Sequence, residues 1–335
     1  MANILVTGAS GFIGSFVVEA ALKRGLRTWA GMRSTSSHRF LPKEGFETIE
    51  LDYENRGVLC QKLRDYAAQY GAFDYVVHCA GVTKCSDKAD FDRVNFQHTK
   101  NLVDALMETG TPPRLFVFIS TLSVFGPIHE ESYEPIKDTD TPQPNTAYGI
   151  SKLKAEQYLQ SLPDFPYVIF RPTGVYGPRE KDYYLMAKSI KQHIDFSVGY
   201  KRQDLTFVYV KDVVKAVFLA IDKQASRKAY FLTDGRVYQS RTFSNLIIRE
   251  LKARYVLRIC SPLFVLKAVS AVAGWLAQRT HSVSTLNLDK YKIMKQRNWR
   301  CDMTPTVNDL GYEPEYGLDR GVKETIEWYK EEGWL

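Results

Sequence analysis

The chain lacks the features that would commit it to a disulfide, metal or nucleic-acid class. Its five cysteines (Cys60, Cys79, Cys85, Cys260, Cys301) form no CxxC pair and no metal-ligand spacing. That excludes a disulfide framework or zinc module and leaves reduced intracellular thiols as the expectation. His38, His98, His129, His193 and His281 have no partners at ligand spacing, so no metal is expected. Lys and Arg outnumber Asp and Glu by 45 to 38, a net charge of +7, but they form no block or stripe. Without such a stripe or a known module, nucleic acid is excluded as a partner. A scattered basic surface still suits anionic ligands or anionic lipid. There are no internal repeats and no low-complexity segments. No signal-like leader precedes the first apolar run, so a cytoplasmic location is expected. The longest apolar stretch, Val256 to Ala277, is interrupted by Arg258 and Lys267 and makes a poor membrane span.

What is present begins almost at once. Thr7-Gly8-Ala9-Ser10-Gly11-Phe12-Ile13-Gly14 follows the apolar run Ile4-Leu5-Val6 and opens an amphipathic stretch. A buried strand that turns through closely spaced glycines into a helix is a phosphate-binding device. Glycines let the backbone approach a pyrophosphate, and the helix N-terminus offers unpaired N–H groups and partial positive charge. Further strand-like runs lie at 28–32, 47–51, 75–79, 115–120 and 167–171, and helical patterns at 12–24, 58–69, 90–109 and 148–161. Alternating apolar strands and helices predict an α/β fold, a doubly wound parallel sheet covered on both faces. After Arg171 the pattern becomes irregular, although a strand–helix unit returns at 205–222 and a strand at 228–233. The expected division is a dinucleotide-binding domain at 1–171 and 205–233, with a smaller, mostly helical substrate lobe at 172–204 and 234–335.

A second motif, Tyr148-Gly149-Ile150-Ser151-Lys152, puts a phenol and an ammonium four residues apart on one helical face. A nearby cation favours the phenolate and should lower the tyrosine pKa. Tyr148 is thus a candidate acid/base for a proton moving to or from an alcohol or carbonyl oxygen. A third motif, Ile119-Ser120-Thr121-Leu122-Ser123-Val124-Phe125-Gly126, ends a central strand, where Thr121 or Ser123 offers a hydroxyl to the reacting oxygen. His78 sits at a strand end, where packing alone explains it.

Together these motifs resemble the extended short-chain dehydrogenase/reductase family, of the NAD-dependent epimerase/dehydratase type, with features of 3β-hydroxysteroid-dehydrogenase-like reductases. Further matches are Asp52-Tyr53, His78-Cys79-Ala80-Gly81, Val94-Asn95, the run from Arg171 to Arg179, the run from Phe207 to Val213, Gly311-Tyr312 and Trp328-Tyr329. The resemblance implies that Tyr148 is the catalytic acid/base, that Lys152 is its partner and holds the nicotinamide ribose, and that Thr121 rather than Ser123 supplies the catalytic hydroxyl. It also implies that Asp52 and Tyr53 lie on the adenine side and that Ala80, Gly81 and Pro172 line the cofactor cleft. Thr83, Ser123, Thr173, Tyr176 and Arg179, with Tyr183 and Tyr184, are the expected substrate-side residues. A homodimer built from the 90–109 and 148–161 helices is implied as well.

The cofactor turns on charge at the end of the second strand. An acid there binds the ribose 2′-OH, whereas an arginine accepts a 2′-phosphate. Here the chain reads Gly31-Met32-Arg33-Ser34-Thr35, with no acid until Glu44. Arg33 lies where the discriminating residue belongs, so NADP(H) is expected to be preferred, with NAD(H) the alternative.

The substrate is approached through departures from the family. Dehydratases carry Asp-Glu after the catalytic threonine, and this chain has Leu122-Ser123. Many epimerases carry an Asn after the Arg-Pro motif and an Arg before the Phe-x-x-Val segment. This chain has Thr173-Gly174 and Leu205, with Lys201 and Arg202 as candidate substitutes. The 256–277 segment is read first as a buried helix of the substrate lobe, starting at Leu263 after Pro262. A helix in peripheral contact with a lipid surface, or one lining a lipid-shaped pocket, is the alternative. The expected activity is therefore reduction of a hydrophobic ketone such as a 3-keto lipid. A nucleotide-sugar 4-epimerase with tightly bound NAD is the second reading, and a cofactor sensor without turnover is the third.

Overall fold

The computed structural model describes residues 1–85, 87–280 and 286–335; His281 lies outside the described residues. Among the described residues thirteen strands are formed. They are β1 (Asn3–Thr7), β2 (Arg27–Gly31), β3 (Phe46–Ile49), β4 (Tyr75–His78), β5 (Leu115–Ile119), β6 (Tyr167–Pro172), β7 (Gly174–Tyr176), β8 (Ile194–Val198), β9 (Asp204–Leu205), β10 (Phe207–Tyr209), β11 (Lys228–Leu232), β12 (Tyr238–Gln239) and β13 (Leu257–Ser261). The helices are α1 (Phe12–Lys23), α2 (Arg56–Tyr70), α3 (Ala89–Asp92), α4 (His98–Glu108), α5 (Ala147–Ser161), α6 (Lys181–Lys191), α7 (Val210–Asp222), α8 (Thr242–Leu251), α9 (Leu263–Arg279), α10 (Leu288–Lys295), α11 (Thr304–Leu310) and α12 (Leu318–Glu331). A π-helical turn, Arg93–Gln97, joins α3 to α4, so the single helix expected at 90–109 is interrupted.

Seven strands make one sheet in the order β3-β2-β1-β4-β5-β6-β11, and every pairing is parallel. Side chains of successive strand residues point to opposite faces. Ile4 and Val6 of β1 therefore join α1 and α7 in one core, while Leu5 joins α2, α4 and α5 in the other. Both faces are apolar, which is why the strands read as near-continuous hydrophobic runs. Strand order reverses between β1 and β4, and the crevice at that switch point opens at the carboxyl ends of the strands.

The expected strand–helix unit at 205–222 is present, but β9 and β10 stay outside the large sheet: β10 pairs with β7, and β9 with β12. These strands help enclose a third core, rich in aromatics, from Tyr176, Phe207, Tyr209, Phe243, Tyr316 and Tyr329. It is this core that seats α6, α8 and α12 beside the strand ends.

One buried ion pair links β6 to α5. The Arg171 guanidinium donates to the Glu156 carboxylate from Nε at 3.0 Å and from Nη2 at 2.6 Å. Ser120 donates to the other carboxylate oxygen. Both charged groups are almost fully buried. Breaking such a pair leaves an uncompensated buried charge, which costs about 3–5 kcal/mol. We expect Arg171→Met to lose that much stability in urea unfolding, and Arg171→Met/Glu156→Leu to recover most of it.

Candidate active site

The glycine loop packs too closely to carry side chains. Gly8 is left-handed (φ 64°), and a Cβ there would meet the Ala80 amide nitrogen at 2.7 Å. A Cβ on Gly14 would meet the Gly8 carbonyl oxygen at 2.2 Å. Helix α1 starts after Gly11 with no side-chain cap, so its first N–H groups are left for a ligand. The cradle fits a dinucleotide pyrophosphate, which Gly8, Gly11, Phe12, Ile13 and Gly14 would hold, with Thr7 and Ser10 completing the turn.

His78 fastens this loop to the sheet. Its Nδ1 lies 2.8 Å from the Thr7 hydroxyl and its Nε2 lies 3.0 Å from the Thr99 hydroxyl. Thr99 already donates to the Asn95 carbonyl, and Thr7 already accepts from the Ala80 N–H. The network therefore assigns the proton to Nε2, with Nδ1 accepting from Thr7. Burial, with the Lys152 charge adding to it, pushes the His78 pKa down to about 3.

Catalytic candidates meet at the ends of β5 and α5. Thr146 caps α5 by accepting from the Gly149 N–H at 3.0 Å. The Ala147 N–H donates to Asp289 of α10 at 2.8 Å, and Lys292 donates to the Asn145 carbonyl at 2.6 Å. Tyr148 thus sits at a helix start held from two sides, and its phenol feels the nearby Thr121 hydroxyl. Lys152, one turn on, is buried and donates to the Ile119 carbonyl at 2.8 Å, 4.5 Å from the centre of the Phe118 ring. Burial pushes the Tyr148 phenol up to about 12, with Thr121 opposing. It draws the Lys152 ammonium down to about 8, with Cys79 and Glu156 opposing. The expected lowering of Tyr148 is therefore not present: desolvation exceeds the influence of a cation turned toward Ile119 and Phe118.

These groups face a cleft of about 950 Å³. Gly8, Gly11, Phe12, Gly81, Thr83, Thr121, Tyr148, Lys152, Pro172 and Thr173 line one part of it. Asn95 holds the adjoining wall: its Oδ1 accepts from the Val82 N–H at 2.8 Å, and its Nδ2 donates to the Val82 carbonyl at 3.0 Å and to Ser151 at 3.1 Å.

A family model described as "NAD dependent epimerase/dehydratase family" matches residues 4–232. The chain belongs to that family. It is an oxidoreductase of this NAD-dependent group. A UDP-glucose 4-epimerase of Vibrio cholerae is 25% identical over 342 residues, 97% of this chain and 94% of the relative. A decarboxylating sterol-4-alpha-carboxylate 3-dehydrogenase of Dictyostelium discoideum is 25% identical over 254 residues, 72% of this chain and 74% of the relative. Among solved structures, a UDP-glucose 4-epimerase of Thermus thermophilus in complex with NAD aligns with a TM-score of 0.76 at 20% identity, over 98% of this chain and 99% of that one. That last likeness is one of fold.

Other family residues take structural places. Asp52 Oδ1 accepts from the Glu54 and Asn55 N–H groups at 3.0 and 3.2 Å, shaping the turn into α2. Tyr53 stacks on His98 with ring centres 5.6 Å apart. The Arg33 side chain is exposed and makes no hydrogen bond or ion pair among the described residues. The neighbouring Ser34 N–H donates to Glu50 at 2.9 Å. Glu50 follows β3, so an acid absent from β2 is brought alongside by the next strand.

Four substrate-side expectations are corrected. Tyr176 has no exposed surface and belongs to the aromatic core; β7 pairs with β10 and turns it away from the cleft. Arg179 is pinned to α1, donating to Ser15 at 2.9 Å, pairing with Glu19 and lying 4.1 Å from the Phe16 ring centre. Tyr184 packs edge-on against Tyr329 and Trp334. Ser123 is half-buried in the turn after Thr121 and does not line the cleft, whereas Tyr183 does. Sequence reading missed Lys84, Asp182 and Lys290: Asp182 pairs with Lys84, and Lys290 donates to it at 3.0 Å. It also missed the apolar wall of Leu185, Met186, Ile190, Ile194, Phe196 and Met294. No motif marks any of these residues.

Two outcomes are expected. Tyr148→Phe should lower kcat by at least about 100-fold while cofactor affinity, read by fluorescence titration, stays unchanged. For His78, the unfolded chain takes up a proton near pH 6.5 and the folded chain only near 3. Between those values the unfolded state binds more protons, so stability falls as pH falls, by up to about 1.4 kcal/mol per pH unit from this residue. In His78→Gln that part of the slope should vanish from denaturation curves recorded across the window.

Proposed function

We propose that the protein is an NADP(H)-dependent reductase that converts a ketone on a hydrophobic, lipid-like molecule, for example a 3-keto lipid, to the alcohol. The observation that carries this is the apolar wall from α6, β8 and α10 beyond Tyr148. A nucleotide's diphosphate and sugar would meet little there to hydrogen-bond, whereas an acyl chain or ring system would be desolvated along its length.

Arg33 supports the cofactor preference as an unpartnered cation at the end of β2. Glu50 opposes it by placing a carboxylate near the same turn. A nicotinamide, when bound, would supply hydride for the carbonyl carbon. Tyr148 would give its phenolic proton to the carbonyl oxygen, with the Thr121 hydroxyl nearby. A phenol with a pKa near 12 stays protonated at neutral pH, which suits it as the acid of a reduction. Lys152 would hold the ribose hydroxyls, a role that would use its N–H donors and its charge. A homodimer through α3–α4 and α5 belongs to the same reading; half-exposed Met107 and Ile150 lie on those helices.

One observation favours the second reading, a nucleotide-sugar 4-epimerase with retained NAD. Lys290 and Asp182 line the cleft, Asp182 also pairs with Lys84, and a diphosphate could displace that carboxylate.

Identifying the nicotinamide released on denaturation separates the two. An empty site that prefers NADPH and oxidises it with keto-lipids supports the reductase. Tightly retained NAD together with interconversion of a UDP-sugar overturns it. Arg33→Asp should shift the NADPH/NADH affinity ratio toward NADH by about 10- to 100-fold, the worth of one charge-assisted phosphate contact; an unchanged ratio removes Arg33 from the assignment. The Lys152 ammonium is charged below about pH 8 and neutral above it. In a steady-state pH profile, kcat/KM for the cofactor should therefore fall above pH 8.

A further inference from the structure

The 256–277 segment is neither one helix nor buried. Its first residues form β13, which pairs in parallel with β8, and α9 follows directly. Helix α9 rests on the protein through a narrow stripe that includes Leu266 and Ser270. Around the rest of it, Phe264 (76% exposed), Val272 (58%) and Trp275 (51%) face outward. Ten of the eighteen exposed large hydrophobic side chains among the described residues lie at 196–200 or 255–276. Singly exposed apolar residues need no explanation, but a contiguous patch marks an interaction surface.

Charge says what kind of surface covers it. From 251 to 288 the sequence contains no Asp or Glu, while Lys252, Arg254, Arg258, Lys267 and Arg279 are all basic. The acid of β8, Asp195, is buried. An apolar face whose own segment carries only cations complements an anionic bilayer, with aromatic and aliphatic groups in the acyl boundary and Lys/Arg among headgroups. No helix among the described residues is long and apolar enough to cross a membrane, so α9 would lie in the plane of the interface. The patch is also continuous with the cleft: Phe196, 59% exposed, lines the cleft as well.

We infer that β8, β13 and α9 form a docking surface for the headgroup layer of an anionic bilayer, and that substrate passes from the bilayer into the cleft beside Phe196. The entry route rests on the reductase reading above; the docking surface does not.

The test is co-sedimentation of the full chain with vesicles of phosphatidylcholine and phosphatidylglycerol, compared with phosphatidylcholine alone, at low and high salt. Binding to the mixed vesicles that weakens with salt is expected. Lys267→Ala should weaken it about fivefold, the value of one basic group at such a surface. Phe264→Glu/Val272→Glu should abolish it with no change in melting temperature, because both side chains are already in water. NADPH oxidation with a water-soluble ketone should be the same in that variant, while turnover of a vesicle-borne ketone is lost. Absence of vesicle binding by the unaltered chain overturns the docking surface. So does light scattering that shows a dimer abolished by the double variant, because a second copy would then cover the face. Vesicle binding with no turnover of any ketone overturns the reductase reading and the entry route, and leaves the docking surface standing.

Discussion

A sheet whose strands all run the same way delivers every strand end to one edge, and the rest of this molecule depends on that edge. Backbone N–H and C=O groups inside the sheet are satisfied by neighbouring strands, and helices cover both faces. Ligand can therefore approach only where strands stop. Because the order reverses between β1 and β4, the helices there diverge and leave a crevice. Thr7, Cys79, Ser120 and Thr173 all lie just where their strands end, and all but Thr7 line the cleft itself.

Buried polar groups then hold the edge in shape. His78 ties β4 to β1 and α4 through two threonine hydroxyls. Glu156 ties Arg171 and Ser120 together directly beneath Lys152 and Thr121. Asn95, in the π-helical turn, clamps the loop after β4. Each of these groups costs free energy to bury and is satisfied only in one arrangement, which is how polar networks impose a unique geometry. The Tyr148 phenol and Lys152 ammonium are positioned by these neighbours as much as by their own helix.

The third, aromatic core follows a different rule. Its elements come from three separated stretches of chain, around 176–209, 238–256 and 316–335. What it presents to the cleft is set by short two-stranded pairings rather than by a motif. That is why Thr173 lines the cleft while Tyr176, three residues on, is sealed in the interior, and why Arg179 serves α1 instead of a ligand.

The amino-acid sequence by itself determined the doubly wound sheet, most of its helices and the Tyr148–Lys152 pair. Those rest on local periodicity, glycine spacing and i,i+4 geometry, all of which are written along the chain, whereas the choice of Thr121 over Ser123 rested on the family resemblance. Tertiary structure alone decided the direction of the Tyr148 shift, because desolvation depends on what surrounds a group and not on its neighbour one turn away. It alone brought Glu50 beside Ser34 and Lys290 beside Asp182, pairs separated by 16 and 108 residues. And it alone left α9 uncovered: an apolar helix reads the same whether its face meets protein or solvent, and only the packing of the elements around it settles which.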